Sequence, residues 1–206
     1  MAKTRTTTKT DPAGLAALSS RAQADRNTGK DDLPPIERWN PDYCGDIDME
    51  IRADGTWFYM GTPIGRPALV RLFSTVLLRE EDGKTYLITP VEKIGIRVVD
   101  APFLAVEMTV SEEEGDPVLT FRTNVGDVVR AGPDNPLRFV TTGETDQLKP
   151  YLLVRGRLEA LVNRAVTYDL LALGEEIEID GEKLFAIRSS GETFPVMPMA
   201  KLEAGL

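Results

Sequence analysis

The 206-residue chain contains no histidine, which removes every His-based triad, His general base and His metal site. A single cysteine, Cys44, excludes an intrachain disulfide and a Cys-cluster zinc site. No base lies near it in sequence, so the thiol reads as structural. Aromatics supply only 7% of the residues, and no apolar run approaches the ~18 residues that cross a membrane. Residues 1–10 lack the apolar stretch of a secretory signal. Together with the scarcity of cysteine, this leads to the expectation of a cytoplasmic protein. There is no Gly-x-Gly-x-x-Gly, P-loop or Gly-x-Ser-x-Gly string, so no cofactor and no catalytic constellation are implied. Asp46-x-Asp48 lacks the glycine and distal glutamate of a calcium loop, and no metal site is expected.

What the chain does have is charge, at 28% of residues with a formal total of −9. It is unevenly placed. Residues 1–30 carry Lys3, Arg5, Lys9, Arg21, Arg26 and Lys30 against Asp11 and Asp25, a balance of +4 that leaves −13 for the remainder. A body that acidic repels a phosphate backbone, so no nucleic-acid partner is expected. Apolar residues at 42% are enough for a buried core, and a chain this long hides roughly 70% of its unfolded surface.

Residues 1–33 are polar and Ala/Thr-rich and are expected to be a disordered tail, with room for a short helix over residues 12–26. Beyond it, Ile47, Met49 and Ile51 alternate with Asp48, Glu50 and Arg52, the signature of a half-buried strand. Asp54-Gly55 is a hairpin turn signal, and Trp57-Phe58-Tyr59 returns as a second strand. Leu69, Leu72, Phe73, Val76 and Leu77 form one helical stripe, predicting a helix over residues 67–79. Similar reasoning predicts strands through residues 84–89, 94–99 and 103–110. It then predicts strands at 118–122 and 127–131, a helix over 157–173 that Gly174 stops, and a hairpin around Asp180-Gly181.

The order hairpin, loop, helix, hairpin occurs twice. Ile51 to Gly55 matches Phe121 to Gly126, Gly65-Arg66 matches Gly156-Arg157, and Asp82-Gly83 matches Asp180-Gly181. The expectation is an α+β fold of two similar small domains, 34–110 and 111–206, each an antiparallel sheet with a helix. A seam between two such halves is a natural concave site.

Several residues are candidates for that site. Arg66 falls on the apolar side of the first predicted helix, at its N-terminal end, where a guanidinium must find an anion. A salt bridge within the protein is the competing reading. Arg157 takes the matching place on the second predicted helix. Arg155 and Arg164 lie nearby, with Arg157 and Arg164 on one helical face. Asp169 falls inside an apolar arc, so it is either a buried structural partner or a carboxyl with a raised pKa. Thr89, Glu92 and Lys93 sit in a polar break between strands, and Asp100 follows. These groups can line a pocket mouth, or simply form a surface ion pair on a loop.

The strings Trp57 to Arg66, Leu72-Phe73-Ser74, Thr89-Pro90-Val91-Glu92-Lys93 and Asp100-Ala101-Pro102-Phe103 resemble a bacterial family catalogued as domain of unknown function 1285. The likeness runs from about Pro34 to about Met199. It implies a duplicated α+β core whose second domain looks superficially like a pleckstrin-homology fold. It also implies a ligand site at the domain interface for a nucleotide-like molecule, and a role in signalling. Arg66 and the 89–93 and 100–103 strings match the family's motifs, whereas the arginines of the second half rest on their chemistry alone.

The function these observations favour is a non-catalytic sensor of an anionic small molecule, with a nucleotide as one candidate. Two alternatives stay open on the sequence: a metal-assisted hydrolase using Glu92, Asp100 or Asp169, and a module that binds a protein partner.

Overall fold

The structure, a computed structural model, describes residues 19–20, 33–143 and 147–204. The expected tail and its helix lie outside the described residues, apart from Ser19 and Ser20, which are helical.

In the first half a 3-10 turn at Ile36–Arg38 precedes β1 (Tyr43–Ile51), β2 (Trp57–Tyr59), β3 (Thr62–Pro63), α1 (Pro67–Thr75), β4 (Leu77–Arg79), β5 (Thr85–Ile88) and β6 (Lys93–Val98). The strands form a six-stranded sheet ordered β3-β2-β1-β6-β5-β4, antiparallel except where β1 meets β6. Side-chain alternation turns Met49 and Ile51 of β1, Trp57 and Tyr59 of β2, Leu77 of β4, Leu87 of β5 and Ile94 of β6 to one buried face. Helix α1 adds Leu72 and Phe73 to the core, and the Phe73 ring stacks on Trp57 at 6.4 Å.

The helix is shorter than its hydrophobic stripe predicts. It stops at Thr75, where the Ser74 and Thr75 hydroxyls bond back to the carbonyls of Arg71 and Leu72. Leu77–Arg79 is a strand because it pairs residue for residue with β5. The stripe misleads here because Leu72, Val76 and Leu77 are buried in either conformation.

The second half runs β7 (Phe103–Glu113), β8 (Asp116–Thr123), β9 (Val128–Arg130), β10 (Leu137–Thr142), β11 (Gln147–Arg155), β12 (Leu158–Val162), α2 (Arg164–Leu171), β13 (Glu175–Ile179), β14 (Glu182–Ser189), β15 (Glu192–Pro198) and α3 (Met199–Ala204). A six-stranded sheet is ordered β10-β11-β12-β7-β8-β9, and β13-β14-β15 form a second sheet. Ser189 ties the two sheets together. Its hydroxyl is fully buried, donates to the Ala131 carbonyl at 2.8 Å and accepts the Leu119 N–H at 2.9 Å.

Here the predicted helix over 157–173 is corrected. Leu158, Ala160 and Val162 alternate inward on a strand parallel to β7. The helix begins only after Asn163, whose side chain caps it by accepting the Val166 N–H at 2.9 Å. Gly174 follows the helix, and a side chain there would run into the Phe185 ring, so close approach requires the glycine.

The chain divides at Asp100, with the turn 156–158 grouped with the first unit, rather than after Val110. The physical reason is that β7 begins at Phe103 and pairs with β8 and β12. The strand order of the two large sheets is one pattern used twice: three strands, then three more, with the first and sixth side by side and parallel. The short strings that suggest a repeat are not its equivalent points. Asp54-Gly55 joins the first two strands of its sheet, whereas Gly126 lies between the second and third of the other. Gly65-Arg66 precedes a helix, Gly156-Arg157 makes a hairpin turn, and Asp180-Gly181 belongs to the additional sheet.

Candidate functional site

Arg66 is the N-cap of α1, with extended backbone and no side-chain cap bond, and it is exposed rather than turned toward the apolar face. A cap residue precedes the first helical turn, so the helical phase does not set its direction. Thr89 and Glu92 are buried in the β5–β6 connection, where the Thr89 N–H donates to the Glu92 carbonyl at 2.9 Å. Lys93 donates to Glu80 at 2.8 Å and lies 5.1 Å from the Tyr86 ring. The hydrogen bond to Glu80 raises its pKa, so the ammonium stays charged. Asp100 is half-buried at the end of the first unit.

The other arginines are mostly engaged. Arg157 pairs with Glu81 at 2.6 Å. In the second unit Arg155 is held by Asp127 at 2.8 Å and lies over Phe103 at 4.8 Å. Arg164 donates to its own helix neighbour, the Tyr168 hydroxyl, at 3.0 and 3.1 Å. Asp169 is exposed, because a helix starting at Arg164 buries Val166 and Leu170 instead. The expected convergence of Arg157 and Arg164 on one helical face does not form, since only Arg164 is helical. Among the described residues no group of three or more Asp, Glu or Cys is placed to hold a metal ion.

A concave site does exist within the first unit. A cleft of about 360 Å³ lies at the β4–β5–β6–β1 end of the sheet, with Arg79, Ile47, Ile96, Val98 and Asp100 among its lining residues. Register assigns the faces. Arg79 stands opposite Thr85, and Thr85 opposite Ile96, so these share the face of Leu77, Leu87 and Ile94. That face grades from buried at Met49, Ile51 and Ile94 to half-buried at Ile47, Ile96, Val98 and Arg79. Among the described residues the Arg79 guanidinium has no hydrogen-bond or carboxylate partner.

The opposite face is a network of paired groups. Arg97 is joined to Glu50, and Tyr43 donates to Asp46 at 2.7 Å. That hydrogen bond to a carboxylate pushes the Tyr43 phenol up to about 12. The Asp46 carboxylate packs against Gly95 of the neighbouring strand, where a Cβ would collide with it.

A family model for the N-terminal domain of DUF1285 matches residues 34–101, and one for its C-terminal domain matches residues 102–196. The chain belongs to the DUF1285 family. A solved DUF1285 protein from Silicibacter pomeroyi DSS-3 shares 48% identity at a TM-score of 0.80, covering 92% of this chain and 98% of its own. A second, from Shewanella baltica OS155, shares 27% identity at a TM-score of 0.48, covering 60% of this chain and 90% of its own. No curated protein matches the chain. Among the described residues of this DUF1285 protein, no helix is long and apolar enough to cross a membrane.

Arg79 was not among the residues the sequence singled out. The signal for it is the alternation Leu77-Leu78-Arg79, which turns an arginine to the face of Leu77 once the segment is a strand. Placing the segment in a helix hides it.

Proposed function

We propose that this DUF1285 protein is a non-catalytic sensor that binds an anionic small molecule, a nucleotide being one candidate, in the cleft of the first unit. One observation carries the reading. Arg79 stands half-buried on the apolar face of a sheet, in a cleft, and among the described residues no carboxylate is paired with it. A guanidinium stays ionised under these conditions, and its planar fork suits carboxylates and phosphates. The cleft volume lies within the range of small-molecule sites. A protein that responds to such a ligand by engaging a partner protein would serve in signalling.

For the hydrolase alternative, no group of three or more Asp, Glu or Cys among the described residues is placed to hold its metal ion. The test is thermal unfolding with inorganic phosphate, AMP and short carboxylates, using wild type, Arg79→Ala and Arg66→Ala. A ligand at 100 times its Kd adds about 2.7 kcal/mol. The reading expects stabilisation that Arg66→Ala keeps and Arg79→Ala loses. Equal shifts in all of these proteins, or none in wild type, would sink it.

A further inference from the structure

We infer that the occupant of the Arg79 cleft is an amphipathic anion, a carboxylate carrying a short aliphatic body. The inference rests on the anion-binding reading of the same cleft and narrows the class of ligand.

Two features of the cleft select this chemistry. The first is the guanidinium, which needs one anionic group and matches a carboxylate through two parallel hydrogen bonds. The second is the surface beside it. Register and alternation set Ile47, Ile96 and Val98 on the same face as Arg79, each half-buried within the cleft lining. An inorganic anion would satisfy Arg79 and leave these side chains wet. A purely apolar ligand would cover them and strip water from a cation that then has no partner, which is costly. Only a molecule with both parts meets both demands.

Two further cations line the cleft, Lys84 and Arg97. Arg97 alternates onto the other face and shares Glu50 with Arg52, and Lys84 is paired with Asp82 at 3.3 Å. Among the described residues Arg79 is the cleft cation without a carboxylate partner.

The test is an amide NMR titration of the full chain with acetate, butanoate and hexanoate, compared with inorganic phosphate. Each buried methylene is expected to tighten Kd by about fourfold, so the series should steepen from acetate to hexanoate. Arg79→Gln should weaken every carboxylate by about tenfold or more. Ile96→Thr, a β-compatible change at a half-buried position, should flatten the chain-length series. Val98→Thr should do the same and guards against a folding defect in either variant alone.

Equal Kd values for acetate and hexanoate, both dependent on Arg79, would overturn the amphipathic inference and leave the anion site standing. Phosphate binding tighter than hexanoate would do the same. Hexanoate binding that survives Arg79→Gln undiminished would overturn it as well. No Arg79-dependent response to any probe would remove the inference together with the anion site beneath it.

Discussion

β4 of the first domain and β10 of the second occupy the same place in their sheets, as the edge strand next to the fifth. Each contains an arginine, and the two arginines are treated differently. Arg138 on β10 lies over the Tyr151 ring at 4.5 Å and makes two hydrogen bonds to Glu159, at 2.8 and 2.9 Å. Arg79 on β4 meets Thr85 and Ile96 across its sheet, and neither offers a negative charge. One topology thus neutralises its arginine from a strand two places away, and in the other no carboxylate of the described residues pairs with it. Topology positions a side chain, and the residue types on the adjoining strands decide whether its charge is already satisfied.

The sharpest way to separate the domains is their core chemistry. The second domain alone has the buried hydroxyl that joins two sheets. Ser189→Ala strands the Leu119 N–H and the Ala131 carbonyl, and should cost about 3 kcal/mol in urea denaturation. A loss below about 1 kcal/mol would show that the link is not structural. The first domain has its own strict position at Gly95. Gly95→Ala forces the Asp46 carboxylate aside and should cost about 1–3 kcal/mol. It should also bring the Tyr43 pKa down from about 12 toward its ordinary 10, seen as an earlier phenolate band in a pH titration. An unmoved Tyr43 titration would contradict the geometry.

A direct test of the arginine contrast predicts opposite signs. Arg79→Met removes a half-buried cation without a partner among the described residues and should raise stability of the ligand-free protein, by up to about 1 kcal/mol. Arg138→Met breaks an exposed pair and should lower it by less than about 1 kcal/mol. The same sign in both would erase the distinction between the domains.

The smallest expected effect is on pH. In the first domain Asp54 is held below the ordinary carboxylate range chiefly by the Thr56 backbone N–H, and Asp82 by that of Lys84. In the second, Glu107 is lowered chiefly by its hydrogen bond from Arg122. A depressed folded-state pKa stabilises above the unfolded value, and that contribution is lost as pH falls through the folded one. The midpoint of unfolding should therefore drop on acidification below the ordinary carboxylate range. Glu107→Gln should reduce this drop only at low salt, because screening weakens an exposed pair and leaves backbone hydrogen bonds intact. An acid response unchanged by Glu107→Gln at low salt would remove Glu107 from this account.

Much of the fold is legible in the residues. The alternation at Ile47, Met49 and Ile51 and the turn at Asp54-Gly55 correspond to β1, its bend and β2. The start of α1 at Pro67 and the hairpin at Asp180-Gly181 are equally plain. Legibility fails where an apolar cluster satisfies both periods. Leu77-Leu78-Arg79 and Leu158 to Val162 each continue a helical stripe and each become strands, because a neighbouring strand offers a ladder that local sequence does not show. Those two errors also shape the list of candidates. They place Arg157 and Asp169, both exposed, on a helix face and pass over Arg79.

The sequence by itself determined the residue inventory and the local punctuation: no histidine, an acidic body, turns at glycine, an alternating core. These follow from composition and from interactions within a few positions along the chain. Only the tertiary structure decided the shared strand order of the two sheets, and which arginine ends beside a carboxylate and which beside isoleucine and threonine. Charge compensation is a contact between distant segments, and its outcome depends on register, which is set once strands have paired.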